Sequence, residues 1–147
     1  MLNQDYKDIL FLLSKFGVDF LLVGAYAMAV HGFPRATADI DIFIKPSGEN
    51  SRRIMKALAE FGASLDNITV SDFETPGIVV QIGVAPRRID LITEIDGLTF
   101  DEAENDKVVV ELEGLSIPVI SKEKLIINKL ATGRAQDRLD AENMKRS

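Results

Sequence analysis

Apolar residues recur along the 147-residue chain with two different periods. Tyr6, Ile9, Leu10, Leu13 and Phe16 keep helical spacing, so Asn3 to Phe16 predicts an amphipathic helix, ended by Gly17. Val18 to Val23 is a short apolar run that predicts a buried strand. Gly24 breaks it, and the small residues from Ala25 to Val30 predict a short helix before the turn at Gly32-Phe33-Pro34. Ala38 to Lys45 alternates and predicts a strand. Ile54, Met55, Leu58 and Phe61 mark a helix over Glu49 to Phe61, with Gly62 as its stop. Ile68 to Glu74 fits neither period. Strands follow at Ile78 to Val84 and Arg87 to Ile95, then a helical or irregular turn at Phe100 to Asn105. Lys107–Leu112 and Leu115–Ile120, joined by Glu113-Gly114, predict a hairpin. Ser121 predicts the N-cap of a helix through Thr132, and beyond Gly133 a charged helix covers Gln136 to Lys145.

Hairpin-like and crossover connections both occur, which gives an α/β or α+β fold with a mixed sheet. The length suits a single domain over residues 1–147.

The strand Ala38-Asp39-Ile40-Asp41-Ile42-Phe43-Ile44 carries the candidate chemistry. Residues i and i+2 of a strand share a face, roughly 6.6 Å apart. Asp39 and Asp41 therefore stand side by side, with Ile40, Ile42 and Ile44 on the other face. Two carboxylates about 5 Å apart repel by about 3 kcal/mol at an effective dielectric of about 20. A hard divalent cation would repay that cost.

Composition narrows the metal ligands. There is no cysteine and only one histidine, His31, so any metal must be held by oxygen. The acidic, amphipathic N-terminus is unlike a signal peptide, and the apolar run Phe20 to Val30 is too short to span a bilayer, so the cytoplasm is the expected location and no membrane partner is expected. A net charge of −6 disfavours nonspecific nucleic-acid binding, although local basic clusters (Arg52-Arg53-Lys56, Arg87-Arg88, Lys122 to Arg138) can accept phosphate.

Two further features add to the acidic strand. Val23-Gly24-Ala25-Tyr26 runs from strand through glycine into helix, a geometry that lets backbone N–H groups approach an anion. Asp90, in Arg88-Ile89-Asp90-Leu91-Ile92, shares its predicted strand face with Arg88 and Ile92; pairing of this strand with the Asp39 strand would gather three carboxylates. Plain structural roles compete at several positions: packing for Tyr26, capping for His31, and an ion pair to a nearby carboxylate for Arg35. For Asp137 and Asp140 the competing role is helix-surface pairing.

The run Gly24-Ala25, Arg35-Ala36-Thr37-Ala38-Asp39-Ile40-Asp41 and Arg88-Ile89-Asp90 resembles the polymerase-β-like nucleotidyltransferase superfamily. More narrowly, it is similar to minimal nucleotidyltransferases related to toxins of abortive-infection systems. Lys129-Leu130 and Arg134-Ala135-Gln136-Asp137-Arg138-Leu139-Asp140 are similar to later motifs of that subgroup, and the matching stretches run from residue 20 to residue 140. Ala25 stands where the pattern has Gly or Ser, and Gln136 where it has Lys.

The resemblance implies that fold with a C-terminal helical segment, and transfer of a nucleoside monophosphate from a nucleoside triphosphate to a hydroxyl. The acceptor would be an RNA, with tRNA the natural suspect, or a protein. Asp39, Asp41 and Asp90 would be the catalytic and metal-binding residues, with Mg²⁺ or Mn²⁺. Gly24, Ala25, Arg35, Thr37, Lys129 and Arg134 would contact the nucleotide. A weak or inactive nucleotide-binding or partner-binding module of a toxin–antitoxin-type pair is the alternative. An antitoxin-like protein or a second copy of the chain is the partner implied.

Overall fold

The computed structural model describes residues 2–147. In chain order the elements are α1 (Gln4–Lys15), β1 (Phe20–Val23), α2 (Gly24–Val30), β2 (Asp39–Ile44), α3 (Gly48–Phe61), a 3₁₀ turn (Val70–Phe73), β3 (Val79–Ile82) and β4 (Arg88–Ile92). α4 (Phe100–Glu104), β5 (Val108–Leu112), β6 (Leu115–Val119), α5 (Lys122–Thr132) and α6 (Ala135–Lys145) complete the chain. The strands form one six-stranded sheet in the order β3-β4-β2-β1-β6-β5. β2–β4 and β1–β6 are parallel, while β1–β2, β3–β4 and β5–β6 are antiparallel. This is the mixed sheet expected from the sequence, in an α+β arrangement.

Local chemistry explains the boundaries. The Asn3 side chain accepts from the Tyr6 N–H and starts α1, and Ser121 does the same for Lys124 at the head of α5. The strand expected from Val18 begins only at Phe20, because Asn50 of α3 holds Asp19 by both its N–H and its C=O. The strand expected to run to Ile95 ends at Ile92. Thr93 is held by its side-chain hydroxyl, which donates to Thr75 O and accepts from the Ile78 N–H. The chain then turns through Gly97, where a Cβ would crowd Ala131 of α5. That turn brings residues 94–96 against α5. The unassigned stretch around Ile68 to Glu74 forms the short 3₁₀ turn, capped reciprocally by Thr69 and Asp72.

The core confirms the two-faced reading of β2. Ile40, Ile42 and Ile44 are all fully buried. On the other face, Phe43 follows Asp41 and packs edge-on against Phe100, with ring centroids 5.1 Å apart. The Asp face of the strand is thus polar at its start and apolar at its end. α1 packs on α3, and α5 on α6. The His31 ring nitrogen donates to Ile120 O at 2.7 Å, pinning the end of α2 to the segment leaving β6; this is a packing role. Among the described residues, no helix is long and apolar enough to cross a membrane.

Candidate active site

Parallel pairing of β2 with β4 sets Asp41 opposite Asp90 and Asp39 opposite Arg88. Carboxylate oxygens of Asp39, Asp41 and Asp90 lie within 4.8 Å of one another. Asp90 is buried, and the other two are half-buried. The Thr37 hydroxyl donates to Asp39 Oδ1 at 2.8 Å and orients that carboxylate.

Arg88 is the cation within this group. Its Nη2 lies 2.5 Å from Asp39 Oδ2, and its Nε donates to Asp90 Oδ1 at 3.1 Å. The Tyr6 hydroxyl donates to the Arg88 and Pro86 carbonyls and ties α1 to the start of β4. Among the described residues Asp41 forms no ion pair. Burial, followed by the charges of Asp39 and Asp90, pushes its pKa to about 7 against the partial relief from Arg88. Burial also raises Asp90, with Arg88 opposing.

Such a set fits a hard divalent ion. All the donors are oxygens, they converge, and the charge on Asp41 is only partly offset, by Arg88.

Asp41 also forms one wall of a cavity of about 300 Å³, shared with Gly24, Ala25, Ile92, Asn128, Lys129 and Arg134 among others. That volume is at the small end for ligand sites. Gly24 has φ +69°, and a Cβ there would collide with the Asp41 carboxylate, so the β1–α2 turn needs glycine for two reasons.

Behind the cavity lies a charged network. Lys129 is buried, with its Nζ 3.3 Å from both Asp137 Oδ1 and Asp140 Oδ2. Asp140 also accepts from Arg35 and Gln136, and Asp137 from Thr132 and the exposed Arg134. Burial would raise Asp137, but the Thr132 hydroxyl and its two cations outweigh it and hold the pKa below the usual range.

The sequence-derived candidates therefore divide. Gly24, Ala25, Asp41, Lys129 and Arg134 surround one cavity, with Asp39 and Asp90 beside Asp41. Arg35 turns away to Asp140 and lines a separate hollow with Phe33 and Pro34. Thr37 reaches Asp39 instead of the cavity. Arg88, expected as part of a phosphate-accepting Arg87-Arg88 cluster and as the same-face neighbour of Asp90, is spent on Asp39 and Asp90, and its reach to Asp39 depends on strand pairing. Asn128 and Thr132 gave no sequence signal.

Mixed sheet, connectivity and acidic site together define the polymerase-β-like nucleotidyltransferase fold. Three solved structures share it: the Thermotoga maritima protein TM1012, described as "a putative nucleotidyltransferase" (21% identity, 99% of this chain and 94% of that one, TM-score 0.66); the lincosamide antibiotic adenylyltransferase LnuA with lincomycin bound (17%, 99% and 97%, 0.59); and ANT(2″)-Ia in complex with adenylyl-2″-tobramycin (13%, 95% and 84%, 0.59). The chain belongs to the family described as "Nucleotidyl transferase of unknown function (DUF2204)", whose model matches residues 2–146. No curated protein matches the sequence.

Proposed function

We propose that the protein is a metal-dependent nucleotidyltransferase that moves a nucleoside monophosphate from a nucleoside triphosphate to an acceptor hydroxyl. One observation carries the proposal: three carboxylates from paired strands converge beside a cavity that also holds Gly24, Lys129 and Arg134. The acceptor oxygen attacks the α-phosphorus, the bond to the β-phosphate breaks, and pyrophosphate leaves. A divalent ion, Mg²⁺ or Mn²⁺, would be held by Asp39, Asp41 and Asp90, and when bound supplies electrostatic stabilisation of the attacking and leaving oxygens.

The chain's own residues do the rest. Asp90, which stands opposite Asp41 on the paired strand, receives the acceptor's proton. Thr37 keeps Asp39 aimed at the site. An ammonium carries three donors, and Lys129 commits two of them to Asp137 and Asp140; the third faces the polyphosphate. Arg134, at the cavity mouth, adds charge for the leaving pyrophosphate. Arg35 acts at one remove, by holding Asp140.

The acceptor is an RNA end or a protein hydroxyl. The antibiotic adenylyltransferases of the same fold add a small-molecule hydroxyl as a third arm of the test. A second reading, a nucleotide-binding or partner-binding module without turnover, draws support from Ala25 and from Gln136. Gln136 spends its side chain on Asp140 and brings no charge. The experiment incubates the protein with each labelled nucleoside triphosphate and Mg²⁺, against total RNA, a protein extract and a panel of hydroxylated small molecules. Transfer that disappears in Asp90→Asn, with the fold retained, supports the enzyme. Nucleotide binding without transfer supports the module. Turnover by Asp90→Asn refutes the assigned base.

A further inference from the structure

We infer that β5 is a self-complementary edge through which two copies of the chain pair antiparallel, extending the sheet across a two-fold axis. This goes beyond the catalytic reading and does not depend on it. β5 ends the sheet, and among the described residues nothing pairs with its outer side.

The hydrogen-bond pattern shows which groups are free. The Ile120 N–H donates to Leu22 O, so peptide groups at even positions of β6 face β1, and those of Leu115, Ile117 and Val119 face β5. Their partners in register are Leu112, Val110 and Val108. Val109 and Glu111 therefore direct both N–H and C=O out of the sheet. By the same alternation the Lys107 carbonyl points outward, while its N–H is taken by Glu104 O.

Antiparallel pairing centred on Val109 uses all of these groups except the Glu111 carbonyl, whose donor would be the Lys107 N–H already bonded to Glu104 O, so that carbonyl stays with water. Val109 exchanges reciprocal hydrogen bonds with its own copy, and each Glu111 N–H donates to the partner's Lys107 carbonyl. Side chains follow the same symmetry. Lys107, Val109 and Glu111 share one face, so Lys107 meets the partner's Glu111 twice around a central valine pair, in exchange for the exposed contacts of Lys107 with Glu104 and of Glu111 with the Ser116 hydroxyl. On the opposite face each Val108 meets the partner's Val110. Val109 is 62% exposed in the single chain, a large value for a valine in a strand.

The neighbouring register, with Val109 opposite Glu111, is inferior. It sets a carboxylate against a valine, and it sets Lys107 against Glu113, which is already engaged by Lys7 and the Leu2 N–H. The opposite edge, β3, offers no comparable charge pairing, since its strand reads Val79-Val80-Gln81-Ile82. An exposed run of valines at a sheet edge invites association, and a closed two-fold pairing is the form that does not propagate.

A strand pair alone is a small interface, so self-association on the order of 10–100 μM is expected. Sedimentation equilibrium of the full chain from about 5 μM to about 1 mM should show the mass rising from 16.2 kDa toward twice that value. Glu111→Lys, which opposes lysines, should weaken the dimer at least about tenfold, and Lys107→Glu/Glu111→Lys should restore it. Val109→Pro removes an outward N–H without touching the β5–β6 ladder and should also abolish pairing. Circular dichroism checks that each variant is folded; if Val109→Pro is not, the charge-reversal pair carries the test. A monomer throughout, growth beyond the dimer, a dimer indifferent to Glu111→Lys, or no rescue by the double reversal would each overturn the inference.

Discussion

Replacing Asp41 with asparagine should stabilise the metal-free protein, and the gain should grow with pH. In the folded chain Asp41 titrates near 7 because it is buried between two other carboxylates; its ordinary value is 3.8. The native state thus binds this proton more tightly than the unfolded chain does. The stabilisation from that proton is complete below pH 3.8 and is lost as pH rises through about 7. Each power of ten in proton affinity is worth 1.36 kcal/mol, so the gap from 3.8 to about 7 sets a ceiling of about 4 kcal/mol. Asp41→Asn is neutral at every pH and escapes the loss. Urea unfolding without divalent ions should give nearly equal stabilities for the two proteins at pH near 4. The variant should lead by about 2–4 kcal/mol at pH near 8.5. Added Mn²⁺ should then raise the stability of the parent more than that of the variant. A difference that stays flat between those pH values, or that favours the parent at high pH, would refute the claim that the site is strained by its own charge.

Three other substitutions probe the same architecture. Gly24→Ala forces a Cβ into the Asp41 carboxylate at a backbone φ of +69°, and should cost about 1–3 kcal/mol in chemical denaturation while abolishing transfer. Lys129→Met removes the ammonium shared by two buried or half-buried carboxylates; with Arg35 and Gln136 still attached to Asp140, a loss of about 2–4 kcal/mol is expected from thermal or urea unfolding. Arg88→Gln deletes the cation that competes for Asp39 and Asp90, so Mn²⁺ binding measured by electron paramagnetic resonance, without nucleotide, should tighten several-fold. Weaker Mn²⁺ binding in that variant would show that Arg88 acts chiefly by holding the carboxylates in place.

Much of the site was legible because its signals are local. Asp39 and Asp41 share a face through the period of a strand, Asp90 and Arg88 through the same rule, and Ser121 announced its helix. Neither the reach of Arg88 across to Asp39 nor the separation of Arg35 from the cavity is local. Arg35 meets Asp140, 105 positions away in the chain. Asp137 and Asp140 looked like helix-surface charges paired within their own turn. Asp137 does pair with Arg134, and Asp140 with Gln136, within their own helix, but folding also buries Lys129 between the two carboxylates, and only the packing of α5 on α6 decides that.

The chain's order of apolar and polar residues was sufficient to determine a mixed sheet with helices, an acidic strand and the restriction of any metal ligand to oxygen, since periodicity and residue type act over a few neighbouring positions. Tertiary structure alone decided that β4 lies beside β2 with Asp90 opposite Asp41. It also decided which cations those carboxylates meet, and that a valine-rich strand ends the sheet. Strand order joins segments dozens of residues apart, and the charge balance of a site depends on which side chains that order brings within a few ångströms.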